Sequence, residues 1–255
     1  MTTIALFGLI AFAVVFGGGL LGLLLGRLLP EHYQNDATQR IVQTATGMVS
    51  LIAALVLGLL VATAKNKFDT TNQETEEFAA KLMLINRELV NFGPEANDAR
   101  ALLRKYVIAK IAADWPAEAE QKPEPDALPP WKLLENFQYS LSGLKPNTEA
   151  QHSEATAASE AAADLEKATW LQAAQASAHV KHPFIVILIL WLFVLFMSFG
   201  LFAPRNGLVV AALLVGALAI SGAVLLIVDM DSPYEGILVV SPQPMQQALA
   251  QISSP

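Results

Sequence analysis

The sequence contains no cysteine among its 255 residues, which excludes disulfide bonds, thiol catalysis and cysteine-ligated metal centres. Charged residues are scarce as well. They make up 15% of the chain, whereas soluble domains average about 25%. The formal net charge of −7 leaves no basic surface of the kind that nucleic-acid binding requires. We therefore expect no nucleic-acid partner.

Signatures of catalysis are also missing: the sequence has no nucleophile elbow, no phosphate-binding glycine loop and no zincin motif. His179 and His182 are three residues apart on a predicted helix at the membrane surface. They form either an interfacial polar pair or half of a metal site, which would need further ligands. His32 and Asp36 are four apart and would interact across one helical turn. We predict a protein that is not an enzyme, with no catalytic residue, no cofactor and no metal site.

What the sequence has in abundance is long apolar runs, since 54% of the residues are hydrophobic. About 20 consecutive apolar residues cross the core of a bilayer, and four runs are long enough. None of them contains Asp, Glu, Lys, Arg or His, which disfavours a proton-coupled carrier and fits a channel, a sensor or an assembly protein. The first run lacks the flanks of a signal peptide and is predicted to be retained. The runs are Ile4–Leu25, Ile41–Ala64, Phe184–Ala203 and Leu208–Val228.

Between the second and third runs lies a polar segment, 65–183, with 13 basic and 18 acidic side chains. An apolar stripe at heptad spacing extends the second span into this segment as one helix, until Gly93-Pro94 ends it. The alternative interpretation is that the stripe is only the core-facing side of an ordinary helix. The stripe is formed by Phe68, Thr71, Thr75, Phe78, Leu82, Ile85, Leu89 and Phe92.

Further helices are predicted after Gly93-Pro94, over about 95–113, from Trp131 and from about Asn147, where Thr148 and Gln151 are placed like a capping box. Pro-rich 116–130 is a linker, and 242–252 forms a terminal helix. The predicted fold is an all-α membrane protein with four transmembrane helices and a helical extramembrane bundle inserted between helices 2 and 3. Its predicted parts are 1–64 (helices 1 and 2), 65–183 (polar domain), 184–228 (helical hairpin) and 229–255 (acidic motif and short helix).

An even number of spans places both termini and the polar domain on one side of the membrane. Basic residues near the spans favour the cytoplasm for that side. The lysines on it are Lys65, Lys67, Lys81, Lys167 and Lys181, and the arginines on the opposite side are Arg27, Arg40 and Arg205.

Two span faces carry small residues. Gly18, Gly22 and Gly26 share one face of the first span and predict close helix packing, either within this chain or between subunits. A face of the second span changes from polar to apolar, as expected for a pore with a hydrophobic constriction. The competing interpretation packs this face on the glycines of the first span. The pore-lining candidates are Gln43, Thr46, Gly47, Ser50, Ala54 and Val61.

Three carboxylates follow the last span closely: Asp229, Asp231 and Glu235. At a membrane edge they would bind a hard cation through oxygen, or attract cations to a pore mouth. The alternative is a solvated turn that ends the helix. If the carboxylates act on cations, neutralising all three should alter ion selectivity and leave folding nearly intact, whereas a loss of folded protein would indicate a structural role such as capping or a salt bridge.

Several segments together resemble the bestrophin-like membrane family, found mostly in bacteria. Members usually have Arg where Ser232 stands, and often have Tyr at Phe92 and Phe at Tyr234. The segments are Leu29-Pro30 with His32 and Asp36; Ala53 to Leu60 with Ala62 to Lys65; Asn86-Arg87 with Phe92 to Glu95 and Arg100; and Asp229 to Gly236 with Val240-Ser241.

The resemblance implies a distant tie to bestrophin anion channels, which also have four spans per subunit. It implies a homo-oligomeric channel or pore in the lipid bilayer of the bacterial inner membrane, with inorganic ions as possible partners. The alternative function is a non-conducting membrane scaffold or sensor whose helical domain recruits a partner.

Overall fold

The computed structural model describes residues 2–28, 36–119, 128–176 and 182–254. Within these ranges the chain is helical and contains no strand, and four helices are long and apolar enough to cross a membrane. The all-α fold and the four spans are therefore confirmed, whereas the extramembrane position of the inserted bundle stays a prediction. The helices are α1 (Thr2–Leu28), α2 (Asp36–Phe92), α3 (Asn97–Asp114), α4 (Pro130–Ser142), α5 (Glu149–Ala176), α6 (His182–Leu201), α7 (Gly207–Met230) and α8 (Gln243–Ser253).

The chain divides into two compact units. The first, called here the span unit, comprises Met1–Phe68 and Val180–Val239. The second, called the bundle unit, comprises Asp69–His179 and Val240–Pro255. Helix α2 is 57 residues long without interruption and contributes to both units, which confirms the continuous helix that the heptad spacing predicts.

Close packing of α1 on α6 organises the span unit. A Cβ atom built on Gly18 would lie 2.7 Å from the carbonyl oxygen of Phe193, and one on Gly22 would collide with the carbonyl of Met197. Gly26 meets the carbonyl oxygen of Leu201 in the same way, at 2.5 Å. Only glycine allows the two backbones to approach this closely, so this face packs within the chain.

Helix α7 completes the span unit by packing on α1. Its first turn is fixed by Asn206, whose side chain accepts a hydrogen bond from the Val209 backbone N–H at 2.9 Å. The apolar core of the span unit includes Val15, Ala53, Leu188, Leu192, Leu195, Phe196, Leu213 and Ala217.

In the bundle unit, the stripe on α2 is buried from Thr75 to Phe92. Gly93 adopts φ +116°, which is a glycine conformation, and ends the helix. The carbonyl of Phe92, in the last turn of α2, has no partner within the helix. It accepts a hydrogen bond from Gln151 Nε2 at 2.9 Å. The Gln151 backbone N–H in turn donates to Thr148 Oγ1 at 3.2 Å. The predicted cap of α5 is thereby confirmed, and it also closes the end of α2.

The C-terminal segment is held to α3 by polar contacts at both of its ends. Trp115 Nε1 donates to the carbonyl of Val240 at 2.7 Å in a buried position. Arg100 Nη2 donates to the carbonyl of Ser254 at 2.9 Å, and its Nε donates to Asn86 Oδ1 at 3.1 Å. The terminal helix α8 is therefore part of the bundle unit.

Replacing Gly22 with leucine tests the α1–α6 contact. The new side chain has to displace the backbone of α6, and overpacking of this kind costs about 1–3 kcal/mol or more. We expect Gly22→Leu to lower the thermal unfolding midpoint and the yield of monodisperse protein in detergent. Gly17→Leu is the matched control, since a Cβ at Gly17 meets nothing within 4 Å. Equal stability of the two variants would contradict the packing described.

Candidate functional site

Helix α2 differs from the other spans in how little of it is covered. Only 6% of its most apolar 18-residue stretch is buried within the protein, against 28% in each of the other three spans. Most of its apolar surface therefore faces outward from the subunit. Such a surface requires lipid, a second copy of the chain or another membrane protein as its neighbour.

The pore-lining candidates lie at the edge of this open surface. Gln43, Gly47 and Ala54 are exposed, while Thr46, Ser50 and Val61 are half-buried. By contrast Ala53, one residue before Ala54, is buried in the core of the span unit. Successive residues of an α-helix are about 100° apart, so the candidate face lies beside the packing face and remains accessible.

A cleft of about 350 Å³ opens between α2 and α6 at the start of the candidate face. The hydroxyl groups of Thr46 and Ser198 are hydrogen-bonded across it at 2.8 Å. This part-buried bond gives both hydroxyls a partner in largely apolar surroundings. The cleft is lined by Val42, Gln43, Thr46, Gly47, Ser198, Phe199, Phe202 and Ala203.

The glycines of α1 do not meet the small face of α2. Gly18, Gly22 and Gly26 face α6, and a Cβ built on Gly47 or Gly58 of α2 would meet nothing within 4 Å. The interpretation in which the two small faces pack on each other is therefore wrong for this subunit. Periodicity places the small residues of each span on one face, but it carries no information on which helix each face meets.

The acidic motif after α7 forms a closed turn around Asp229. This side chain is fully buried, and its two carboxylate oxygens accept hydrogen bonds from the backbone N–H groups of Ile237 at 2.9 Å and Leu238 at 2.8 Å. Gly236 adopts φ +129°, and its Cα lies so close to Asp229 Oδ1 that a Cβ would overlap it. The expectation of a solvated carboxylate is wrong for Asp229, because the chain turns back onto it.

The other two carboxylates of the motif have different surroundings. Asp231 forms an ion pair with Lys67, whose Nζ donates to Asp231 Oδ1 at 2.6 Å and to the Asp231 carbonyl at 3.3 Å. Glu235 is exposed. A cation held by all three groups stays a prediction, and in this arrangement it would have to displace Lys67. In the sequence Lys67 counts only as a basic residue near a span, and its pairing with Asp231 was not predicted.

No cluster of three or more metal-ligating side chains occurs in the part of the chain that the structure describes. His32 and His179 lie outside the described residues, and so does the side chain of His182. The predicted interactions of His32 with Asp36 and of His179 with His182 therefore stay predictions.

Two carboxyl groups in the bundle unit are hydrogen-bonded to each other. Glu88 of α2 is 7% exposed and is hydrogen-bonded both to Glu154 of α5 and to Arg87, whose Nη2 lies 2.7 Å from its Oε1. The bond to Glu154, followed by those from Arg87, lowers the pKa of Glu88. The same bond, together with desolvation, raises the pKa of Glu154. A hydrogen bond from Asn91 and the positive charge of Arg87 partly oppose this rise. The pKa values of the two groups are therefore shifted in opposite directions.

The architecture and the acidic turn together define a class, a four-span, all-α integral membrane protein whose second span continues into a helical bundle. A sequence profile for the bestrophin-like domain matches residues 11–245, nearly the whole chain. The chain therefore belongs to the bestrophin-like family. No functionally curated protein matches it significantly.

Solved structures of a bacterial bestrophin homologue from Klebsiella pneumoniae, determined as single-residue variants, share the fold. One variant superposes with a TM-score of 0.65 at 12% identity, covering 93% of this chain and 97% of that one. A second superposes with a TM-score of 0.62 at 13% identity and the same coverage. At this identity the likeness establishes the fold alone.

Asp229→Asn tests whether the buried carboxylate holds the acidic turn. One of the two backbone N–H groups would then face an amide NH₂ group, and an unsatisfied buried donor costs about 1–3 kcal/mol. We expect a lower unfolding midpoint for Asp229→Asn in thermal denaturation. Glu235→Gln, on an exposed side chain of the same turn, is the control and should unfold like the wild type. If both variants unfold like the wild type, the turn does not depend on this carboxylate.

The pair of Glu88 and Glu154 predicts a pH-dependent stability. Because the pKa of Glu154 is raised above its ordinary value of 4.5, the stability it contributes is present at low pH and is lost as the pH rises through its folded pKa. The contribution of Glu88 has the opposite sign and is lost as the pH falls through its lowered pKa.

Glu154→Gln keeps a donor for Glu88 and cannot ionise. As the pH rises above the ordinary value of 4.5 and through the raised pKa of Glu154, we expect the unfolding midpoint of the wild type to fall relative to that of this variant. Glu160→Gln, an exposed position on the same helix, should follow the wild type. Parallel curves for all three proteins would show that the two carboxyl groups are uncoupled.

Proposed function

We propose that this protein is a homo-oligomeric ion channel of the bacterial inner membrane, in which α2 of each subunit lines the pore. The observation that carries the proposal is that α2 is mostly uncovered by its own subunit. Only 6% of its apolar stretch is buried, whereas 28% is buried in each of the other spans. Membership of the bestrophin-like family and the fold of the bacterial bestrophin homologue support the same conclusion.

A symmetric arrangement of subunits would cover the exposed apolar surface of α2. If copies surround a common axis, the apolar outward residues of α2 pack on neighbouring subunits, and the adjoining small face looks toward the axis. Small side chains on that face leave room for a pore. Its path starts at Gln43 and Thr46 and ends at Val61, so a polar mouth leads to an apolar constriction that controls conduction by dewetting.

The path contains no charged side chain, so its selectivity has to come from its width and from groups at its ends. Inorganic ions are the proposed permeant species, and Glu235 is the exposed carboxylate of the acidic turn. With an even number of spans, we place both termini and the bundle unit on the cytoplasmic side, where the lysines near the spans lie.

Making the apolar constriction more polar tests whether the protein conducts ions along α2. Purified protein in liposomes should pass ions, and Val61→Ser or Ala54→Ser should increase the leak several-fold, because a hydroxyl lowers the cost of hydrating the narrow region. Leu59→Ser is the control. This residue is exposed and lies about 200° around α2 from Val61, so in an intact oligomer the same change there should leave the flux unaltered.

Two outcomes would contradict this proposal. An intact oligomer that is silent to cations and anions in the wild type and both variants would favour the non-conducting scaffold or sensor. An equal leak from Leu59→Ser would show that the flux reflects general damage to the bilayer and not a path along α2.

A further inference from the structure

A second cleft opens at the end of the span unit where α1 ends and α7 begins. Its volume is about 250 Å³. Two arginines line it: Arg27, in the last turn of α1, and Arg205, which precedes the N-cap residue of α7. The remaining wall is largely apolar and includes Leu23, Leu24 and Val210.

The two arginines share this cleft without a carboxylate. Among the residues that the structure describes, neither forms an ion pair. Arg205 folds back over α1, with its Nη2 3.8 Å from the position of a Cβ built on Gly26, the neighbour of Arg27. Two cations held in one cleft repel each other unless an anion lies between them.

The ends of the helices add to this positive potential. Helix α7 directs its N-terminus at the cleft, where the helix dipole favours negative charge. Asn206 occupies the N-cap position there and also lines the cleft. Arg27, in contrast, lies at the C-terminus of α1, where the dipole stabilises a cation in place.

We propose that this cleft binds the phosphodiester headgroup of an anionic phospholipid, with Arg27 and Arg205 contacting the phosphate oxygens. Guanidinium groups match phosphate geometry with paired hydrogen bonds. A lipid fits better than a free anion because the cleft lies at the end of membrane-spanning helices. Below the arginines, Leu23, Leu24 and Val210 offer an apolar wall to acyl chains. This inference does not depend on ion conduction.

Native mass spectrometry tests the site directly. Purified protein is mixed with equal amounts of phosphatidylglycerol and phosphatidylcholine that carry identical acyl chains. We expect preferential retention of phosphatidylglycerol by the wild type and loss of the preference in the double variant Arg27→Gln, Arg205→Gln. Loss of a charge-assisted hydrogen bond weakens binding by about tenfold for each arginine. Arg40→Gln, at an exposed arginine near the start of α2, is the control for removing an arginine charge outside the cleft, matched to each single variant, and it should keep the preference.

A thermal stability measurement distinguishes the lipid from a free anion. Phosphatidylglycerol should raise the unfolding midpoint of the wild type, whereas inorganic phosphate at millimolar concentration should not. An equal shift with inorganic phosphate would overturn the lipid assignment. Equal retention of the two lipids by the wild type, or a preference that survives in the double variant, would overturn the site itself. If the double variant does not fold, each single variant, Arg27→Gln and Arg205→Gln, has to lower the retention of phosphatidylglycerol.

Discussion

Helices in a bilayer are not driven together by the hydrophobic effect, because lipid tails are as apolar as the side chains they contact. Dense packing has to replace it, and in the span unit that packing centres on the glycines of α1. Gly18, Gly22 and Gly26 each meet a backbone carbonyl or side chain of α6. The contact is mutual, since Gly200 of α6 meets the backbone of Gly19. Helix α7 packs on α1 and so adds a third helix to this pair.

The need for dense packing also explains why the uncovered surface of α2 is important. A span that packs well within its subunit has no need of further partners, whereas α2 presents most of its apolar stretch outward. The α1–α6 contact uses the small residues of α1 internally, and it leaves the small face of α2 for something outside the subunit. This division of roles between two glycine-containing helices is the physical basis of the proposed assembly.

The sequence predicted those features that depend on local order. Span positions follow from apolar runs, the continuity of α2 follows from heptad spacing, and the cap of α5 follows from Thr148 and Gln151. Features that depend on contacts between distant segments were not predicted. Asp229 and Asp231 look alike in sequence, yet one is buried under a turn while the other pairs with Lys67, 164 positions earlier. Gly236, which adopts a positive φ in the turn, is a local signal that a turn occurs here.

The span unit also constrains the order in which the protein can mature during translation. Gly22 emerges from the ribosome long before Met197, its contact on α6, and Lys67 emerges long before Asp231. At ordinary elongation rates these intervals are on the order of ten seconds. During that time α1 and α2 reside in the bilayer without their later neighbours. Because neither span carries an ionisable group, this waiting state costs little, and α2 is already available to other chains before its own subunit is complete.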